Sequence, residues 1–114
     1  MILSCAEGYR MWKVDYPKLL NMATQDLGFQ VMHLLEFSDA MIKKGSLKLT
    51  KPVNARMTYH DSCGISRLAD SWTPWKGERG WMGTVSPRLK RRRGTEGLYG
   101  QPRNILKAIP GLNF

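Results

Sequence analysis

The sequence predicts an α/β fold, a partial three-layer arrangement of short parallel strands with helices on their faces. Two observations lead to this class: strand-like and helix-like segments alternate along the chain, and glycine or proline follows most of the helix-like segments. Strands that alternate with helices pair in parallel through right-handed crossovers. The chain has 114 residues, enough for one domain, and its hydrophobic content of 42% is ordinary for a folded protein.

The predicted elements begin at the first residue. Residues 1–5 resemble the second half of a strand, and helices are predicted over 6–13 and 17–26, the second starting with Pro17 and closed by Gly28 at positive φ. The later elements are a strand over 29–34, a helix over 35–44, a strand over 55–60, a helix from 98 or 99 to 109, and the opening of a strand over 112–114. The apolar face of the 35–44 helix is predicted to be Leu35, Phe37, Ala40, Met41 and Ile42.

Residues 71–100 have no helical or strand period and are predicted to form a long basic loop. The segment holds six of the eleven glycines and three of the four tryptophans, namely Trp72, Trp75 and Trp81. Its cations cluster at Arg88, Lys90, Arg91, Arg92 and Arg93. Three interpretations are open: a solvated face, a docking loop for an acidic partner subunit or anionic lipid, and a nucleic-acid-binding loop with the tryptophans as stacking partners.

Composition excludes several classes of protein. Lys and Arg number 18 against 9 Asp and Glu, a formal charge of +9, and apolar stretches are too short to span a bilayer. Two cysteines without a secretory signal do not make a disulfide framework and indicate a reducing, cytoplasmic compartment. Neither of the common glycine-rich phosphate-binding motifs is present.

Cys5 and Cys63 are the candidate chemical residues. Each is predicted at the carboxyl end of a strand and near a helix N-terminus, where open α/β sheets bind ligands. The alternatives are two small buried hydrophobic residues, a disulfide, and a zinc site completed by His33 and His60.

Two segments of the chain carry a family resemblance. Residues 57–67 are Met-Thr-Tyr-His-Asp-Ser-Cys-Gly-Ile-Ser-Arg, and residues 101–111 are Gln-Pro-Arg-Asn-Ile-Leu-Lys-Ala-Ile-Pro-Gly. Together they closely resemble the cysteine-rich CCG family, which includes the B- and D-type catalytic subunits of heterodisulfide reductase and the iron–sulfur subunit of glycolate oxidase. Residues 4–10, Ser-Cys-Ala-Glu-Gly-Tyr-Arg, are similar to the Cys-x-x-Cys-Tyr segment that closes the preceding copy of the motif. Residues 6–8, Ala-Glu-Gly, and the loop over 71–100 are most similar to the iron–sulfur subunit of the membrane electron-transfer complex of sulfate reducers.

The resemblance implies 4Fe–4S clusters in a full-length parent, with Cys63 as the first cysteine of the second motif. Cys5 would be the first cysteine of the pair that ends the first motif, where Gly8 replaces its partner. Gly64 replaces the His that is common after the motif cysteine, and no Cys-Cys-Gly occurs. The chain would be a partial cysteine-rich domain. Residues 1–52 would contain the end of the first motif and connecting βα units, and residues 53–114 the start of the second motif with the 71–100 loop.

The implied function is electron transfer between a quinol, such as menaquinol, or another donor chain and a thiol or disulfide substrate. The implied partners are membrane electron-transfer subunits and a small thiol/disulfide protein. The location would be cytoplasmic, with membrane association through those subunits.

The chain is expected to be a fragment that alone binds no cluster and is inactive, because a cubane cluster needs four thiolates and two cysteines are present. The alternative is a small basic docking or nucleic-acid-binding protein that uses Arg88–Arg93 and the loop tryptophans, although no nucleic acid is expected.

Overall fold

The computed structural model describes residues 1–70, 75–86 and 97–114, and it confirms the α/β class. Strand β1 (Ile2–Leu3) pairs in parallel with β2 (Met32–His33). Strand β3 (Ala55–Arg56) pairs in parallel with β6 (Leu112–Asn113). The parallel pairing expected from alternating elements is therefore present, but the described strands have two residues each and form separate two-stranded sheets.

One helical stretch follows β1. It consists of α1 (Ala6–Arg10), a π-helical segment (Met11–Asp15) and α2 (Tyr16–Leu19), with Pro17 buried in the first turn of α2. Proline has no N–H to donate to the Lys13 carbonyl four residues earlier, and the Thr24 hydroxyl donates to that carbonyl at 3.1 Å instead. The predicted continuation to residue 26 is wrong, since Asn21 has a left-handed φ of 51° and only a short 3₁₀ turn, Thr24–Leu27, follows. Gly28 ends that turn at φ 74°, as expected.

Helix α3 (Leu34–Lys43) begins at a capping box. The His33 Nδ1 accepts the N–H of Leu35 at 3.1 Å, and the Glu36 carboxylate accepts the N–H of His33 at 2.8 Å. These two bonds satisfy N–H groups that the first helical turn leaves without partners. The helix ends before Gly45, whose φ is 76°.

The buried side of α3 differs from the predicted apolar face. Asp39 is its buried residue, whereas Ala40 is exposed and Phe37 is 38% exposed. The reason is that Asp39 faces α4 (Gly100–Lys107) and accepts hydrogen bonds from Lys43 at 2.7 Å and from Asn104 at 3.4 Å. A polar bridge, rather than apolar packing alone, joins the two helices.

The core among the described residues is small. Its buried apolar side chains come from α1, the residue before β2, the segment 63–69 and the segment before α4, and they are Tyr9, Val31, Ile65, Ala69 and Leu98. Partly buried residues that include Leu3, Trp12 and Leu35 pack against them. This core joins the two cysteine-bearing segments, because Tyr9 follows Cys5 and Ile65 follows Cys63.

The predicted loop over 71–100 contains regular structure. Strand β4 (Glu78–Arg79) pairs in antiparallel fashion with β5 (Val85–Ser86) across a 3₁₀ turn at Trp81–Gly83. The prediction of an irregular loop is wrong for this part. Trp72 and the basic residues Arg88, Lys90, Arg91, Arg92 and Arg93 lie outside the described residues. In the described ranges no helix has the length and apolar character needed to cross a bilayer.

Candidate functional site

Cys5 and Cys63 are both free, exposed thiols. Their exposure contradicts the interpretation as small buried hydrophobic residues. Over residues 1–70, 75–86 and 97–114, no three His, Cys, Asp or Glu side chains converge as a metal-binding group, so the zinc site with His33 and His60 has no geometric support there. Each of the two cysteines therefore has a thiol that solvent can reach.

Cys5 lies where the sequence predicts it, between a strand and a helix. It follows β1 and occupies the N-cap position of α1, with extended backbone angles. Its thiol donates a hydrogen bond to the Glu7 carboxylate at 3.4 Å. A methyl group on Gly8 would lie 4.0 Å from the Cys5 sulfur, so position 8 faces this thiol, as the spacing of a Cys-x-x-Cys pair requires.

Cys63 lies farther from its strand than the sequence suggests. Strand β3 ends at Arg56, and Cys63 opens a turn-rich segment, 63–69, that is not a regular helix. The carbonyl of Cys63 accepts the N–H of Leu68 at 2.8 Å, and the Arg67 guanidinium donates to the Cys63 sulfur at 3.4 Å. A positive charge at this distance stabilises negative charge on the sulfur.

The chain segments that carry the two cysteines touch each other. A methyl group on Gly64 would lie 3.0 Å from the carbonyl carbon and oxygen of Ala6 and 3.1 Å from its Cβ. A side chain at position 64 would push the backbone after Cys63 away from the backbone after Cys5, so glycine permits this close approach without displacement. Gly64, which departs from the family pattern, therefore has a structural role at the meeting point.

Asp61 and Arg103 form a bidentate ion pair beside Cys63. The two nitrogens of the guanidinium donate to the two carboxylate oxygens at 2.6 and 2.9 Å, and one of them also donates to the carbonyl of Tyr99 at 2.6 Å. The guanidinium carbon lies 5.4 Å from the centre of the Tyr59 ring. The hydrogen bond from Arg103 lowers the pKa of Asp61 below its ordinary value, and the same bond raises the pKa of Arg103.

This pair joins the two segments that carry the family resemblance. Asp61 belongs to the Tyr-His-Asp-x-Cys segment, and Arg103 follows Pro102 in α4. A fork-to-fork contact of this kind restricts both direction and distance, so the segment before Cys63 is held against the start of α4. The two segments are therefore in direct contact in the folded chain.

A second set of contacts fixes the segment 63–69. Buried Asp70 accepts the N–H of Gly97 and, at 2.8 Å, the hydroxyl of Tyr99. Buried Ser66 donates to the carbonyl of Leu98 at 3.2 Å, and the N–H of Leu98 donates to the carbonyl of Ile65 at 2.8 Å. The turn that presents Cys63 is therefore bound to the chain immediately before α4.

Sequence reasoning did not single out three of these residues: Arg67, Asp70 and Arg103. Asp61 is part of the 57–67 segment that carries the resemblance, but no partner was predicted for it. The signal that could have found Arg103 is the presence of opposite charges in the two segments that share the resemblance. Nothing local marks Asp70, because its partners are 27 and 29 residues away.

The donor set does not fit a complete iron–sulfur cluster. A cubane needs about four thiolates, and the chain has two cysteines. The exposure of both thiols and the guanidinium near Cys63 suit residues that contribute ligands to a cluster also bound by other thiolates. No catalytic step can be assigned to these residues alone.

The chain is similar, over all or nearly all of its length, to proteins that are named as oxidoreductases. It is 30% identical over 114 residues to the D-type subunit of Dihydromethanophenazine:CoB--CoM heterodisulfide reductase from Methanosarcina acetivorans, covering 100% of this chain and 20% of that protein. It is also 30% identical over 111 residues to EtfAB:quinone oxidoreductase of Syntrophomonas wolfei, covering 97% of this chain and 11% of that protein. The chain is homologous to oxidoreductases.

A third relative is named as an iron–sulfur-binding oxidoreductase. The probable iron-sulfur-binding oxidoreductase FadF of Bacillus subtilis is 28% identical over 108 residues, which cover 93% of this chain and 10% of that protein. The chain spans about a fifth of the length of the curated heterodisulfide reductase proteins it matches, and about a tenth of the other two. No protein-family model and no solved structure matches it.

Proposed function

We propose that this chain is a cysteine-bearing segment of an iron–sulfur oxidoreductase subunit of the heterodisulfide reductase type. The observation that supports the proposal most is the contact between the Cys5 and Cys63 segments, in a chain similar along its whole length to a heterodisulfide reductase protein. Two accessible thiols on segments that touch are suited to bind iron together with cysteines outside this chain.

The proposed ligands are Cys63 and Cys5, each bound to the iron of a 4Fe–4S cluster. Such a cluster supplies one-electron transfer when it is bound. The residues of this chain position the sulfurs: the Asp61–Arg103 pair orients the segment before Cys63, and Arg67 places positive charge beside the Cys63 sulfur. In the CCG assignment, Cys63 opens the second motif within residues 53–114, and Cys5 ends the first motif within residues 1–52.

The proposed reaction of the whole subunit is the transfer of electrons between a donor such as menaquinol and a thiol or disulfide substrate. The names of the relatives support this class, because they include a heterodisulfide reductase and a quinone oxidoreductase. Membrane electron-transfer subunits and a small thiol/disulfide protein are the proposed partners. The proposed location is the cytoplasm, at the membrane through those partners. We propose that the 114 residues alone do not catalyse the reaction.

The test uses the native polypeptide that contains these residues, purified without oxygen from its source with an antibody against the chain. Iron, acid-labile sulfide and the electron paramagnetic resonance spectrum during reductive titration are measured before and after Cys63→Ser at the native locus. We expect the native polypeptide to contain iron and sulfide, and Cys63→Ser to change the spectrum and lower the iron content.

Ser62→Ala is the matched control, since it alters the neighbouring residue and keeps the thiol; it should leave both readouts unchanged. A native polypeptide without iron, or a Cys63→Ser variant with unchanged iron and spectrum, would contradict the proposal.

A further inference from the structure

The side chain of Arg67 is directed at the sulfur of Cys63. Its guanidinium donates to the sulfur at 3.4 Å, and the two residues are four positions apart in the segment 63–69. Both are exposed, whereas Ile65 and Ser66, which lie between them, are buried. The turn therefore presents the thiol and the guanidinium together on its solvent-facing side.

No carboxylate competes for this guanidinium within the part of the chain that the structure describes. The ion pairs found there do not include Arg67. Asp61, the acidic residue closest to Cys63 in the sequence, is already bound by Arg103 through two hydrogen bonds. The positive charge of Arg67 is thus left to act on the Cys63 sulfur.

Backbone and side-chain bonds hold the turn that carries these two groups. The N–H of Leu68 donates to the carbonyl of Cys63 at 2.8 Å, and the N–H of Ser66 donates to the carbonyl of Ser62 at 3.1 Å. The Ser66 hydroxyl also donates to the carbonyl of Leu98 at 3.2 Å, which ties the turn to the chain before α4. A charge on a backbone fixed in this way loses less conformational entropy when it acts on its neighbour.

Cys5 has the opposite electrostatic neighbour. Its thiol donates to the Glu7 carboxylate at 3.4 Å, so a negative group lies beside this sulfur. The two exposed thiols of the chain therefore differ in the sign of the charge that contacts them. A cationic contact is specific to Cys63, and its effect should be found at that sulfur.

We infer that Arg67 raises the reduction potential of the cluster to which Cys63 contributes a ligand. This inference rests on the proposed function. Reduction adds negative charge that the ligand sulfurs share, so a cation beside one sulfur stabilises the reduced form more than the oxidised form. Hydrogen bonds to the sulfurs are among the features that set such potentials. Arg67 acts through the Cys63 sulfur, and removal of its charge should make reduction less favourable.

The test is a reductive titration of the native polypeptide that contains these residues, followed by electron paramagnetic resonance. The signal that Cys63→Ser changes is compared in the unaltered polypeptide, in Arg67→Gln and in Arg67→Lys. We expect Arg67→Gln to move its midpoint potential to more negative values, with an equilibrium constant for reduction that is lower by about threefold or more and with unchanged iron content. Arg67→Lys keeps the charge and should recover most of this loss.

The matched control is Arg56→Gln, which removes the same charge from an exposed arginine of β3 that has no hydrogen bond to either cysteine in the described ranges. Its midpoint potential should equal that of the unaltered polypeptide. The inference is overturned if Arg67→Gln leaves the potential unchanged or loses its iron, if Arg67→Lys shifts the potential as far as Arg67→Gln, or if Arg56→Gln shifts it equally. A native polypeptide without iron would instead contradict the proposed function, and this inference with it.

Discussion

At the scale of single residues, the pairing of Asp61 with Arg103 brings two segments that are 42 residues apart in the sequence into contact. The pair is about one-third exposed, so solvent screens it and its contribution to stability is modest. Its geometry is nevertheless restrictive, because two parallel N–H donors meet two oxygens. The pair acts mainly to orient the segment that leads to Cys63.

Asp61→Asn should lower the free energy of unfolding by about 1 kcal/mol at pH 7, since it removes the charge while keeping one acceptor. Arg103 lowers the pKa of Asp61 in the folded state, so the contribution of the carboxylate is complete above its ordinary pKa of 3.8 and declines as the pH falls through the folded-state value. Urea unfolding of the unaltered chain and of Asp61→Asn, at pH 7 and in acid, measures the difference between their free energies of unfolding. This difference should be smaller in acid.

Asp15→Asn is the matched control for this measurement. Asp15 is exposed to a similar extent, at 35%, but meets Arg10 through one contact of 3.4 Å. Its replacement should cost less than that of Asp61. Equal losses for the two changes, or a loss at Asp61 that persists in strong acid, would mean that the bidentate pair has no special role.

Residue-level prediction from the sequence succeeded where the cause is local. Cys5 was placed correctly before a helix because strand, cap and helix follow one another directly in the chain. The partners of Cys63 and Asp61 were not found, since Arg103 approaches from a distant helix and Arg67 approaches through a turn that has no periodic pattern. Contacts between distant segments depend on tertiary packing, which one sequence does not reveal.

At the scale of elements, α3 depends on the cap that His33 provides. Burial lowers the pKa of His33 below its ordinary value of 6.5, so the folded state favours the neutral imidazole, which can accept the N–H of Leu35. The unfolded chain takes up a proton first as the pH falls. The stabilisation that comes from His33 is therefore complete above pH 6.5 and is lost progressively below it.

His33→Asn should abolish this part of the pH dependence while keeping an N-cap acceptor. Its free energy of unfolding should stay flatter than that of the unaltered chain as the pH falls below 6.5. His33→Ala is the companion variant, because it removes both the titrating group and the cap and should lose about 1 kcal/mol even at about pH 8. Unfolding curves across this range provide the measurement. If the free energy of unfolding of His33→Asn falls with pH as steeply as that of the unaltered chain, a group other than His33 causes the pH dependence.

The order of elements was better predicted than their extent. Both parallel strand pairs and helices α3 and α4 occur where the pattern places them, because apolar spacing and terminal glycines mark them. The strands are shorter than predicted, and the β4–β5 hairpin was missed, since two-residue strands are too short to show an alternating pattern. On α3, Asp39 lies inward because Lys43 and Asn104 can reach it.

At the scale of the whole molecule, a small core and a set of polar bonds bring the two cysteine segments together. The core residues Tyr9 and Ile65 come from the segments after Cys5 and Cys63, respectively. The relatives matched along the chain support the oxidoreductase part of the resemblance on residues 57–67 and 101–111. Electron-transfer function is a property proposed for the longer proteins of which this chain matches about a fifth or less.

The central claim is that this chain supplies two thiolates to clusters that need more. Anaerobic reconstitution of the purified chain with iron and sulfide, followed by gel filtration, visible absorption and iron analysis, tests it most directly. We expect a colourless chain that retains no stable cluster, because two cysteines do not provide the four thiolates of a cubane. A stable brown species with about four irons per chain would contradict the account.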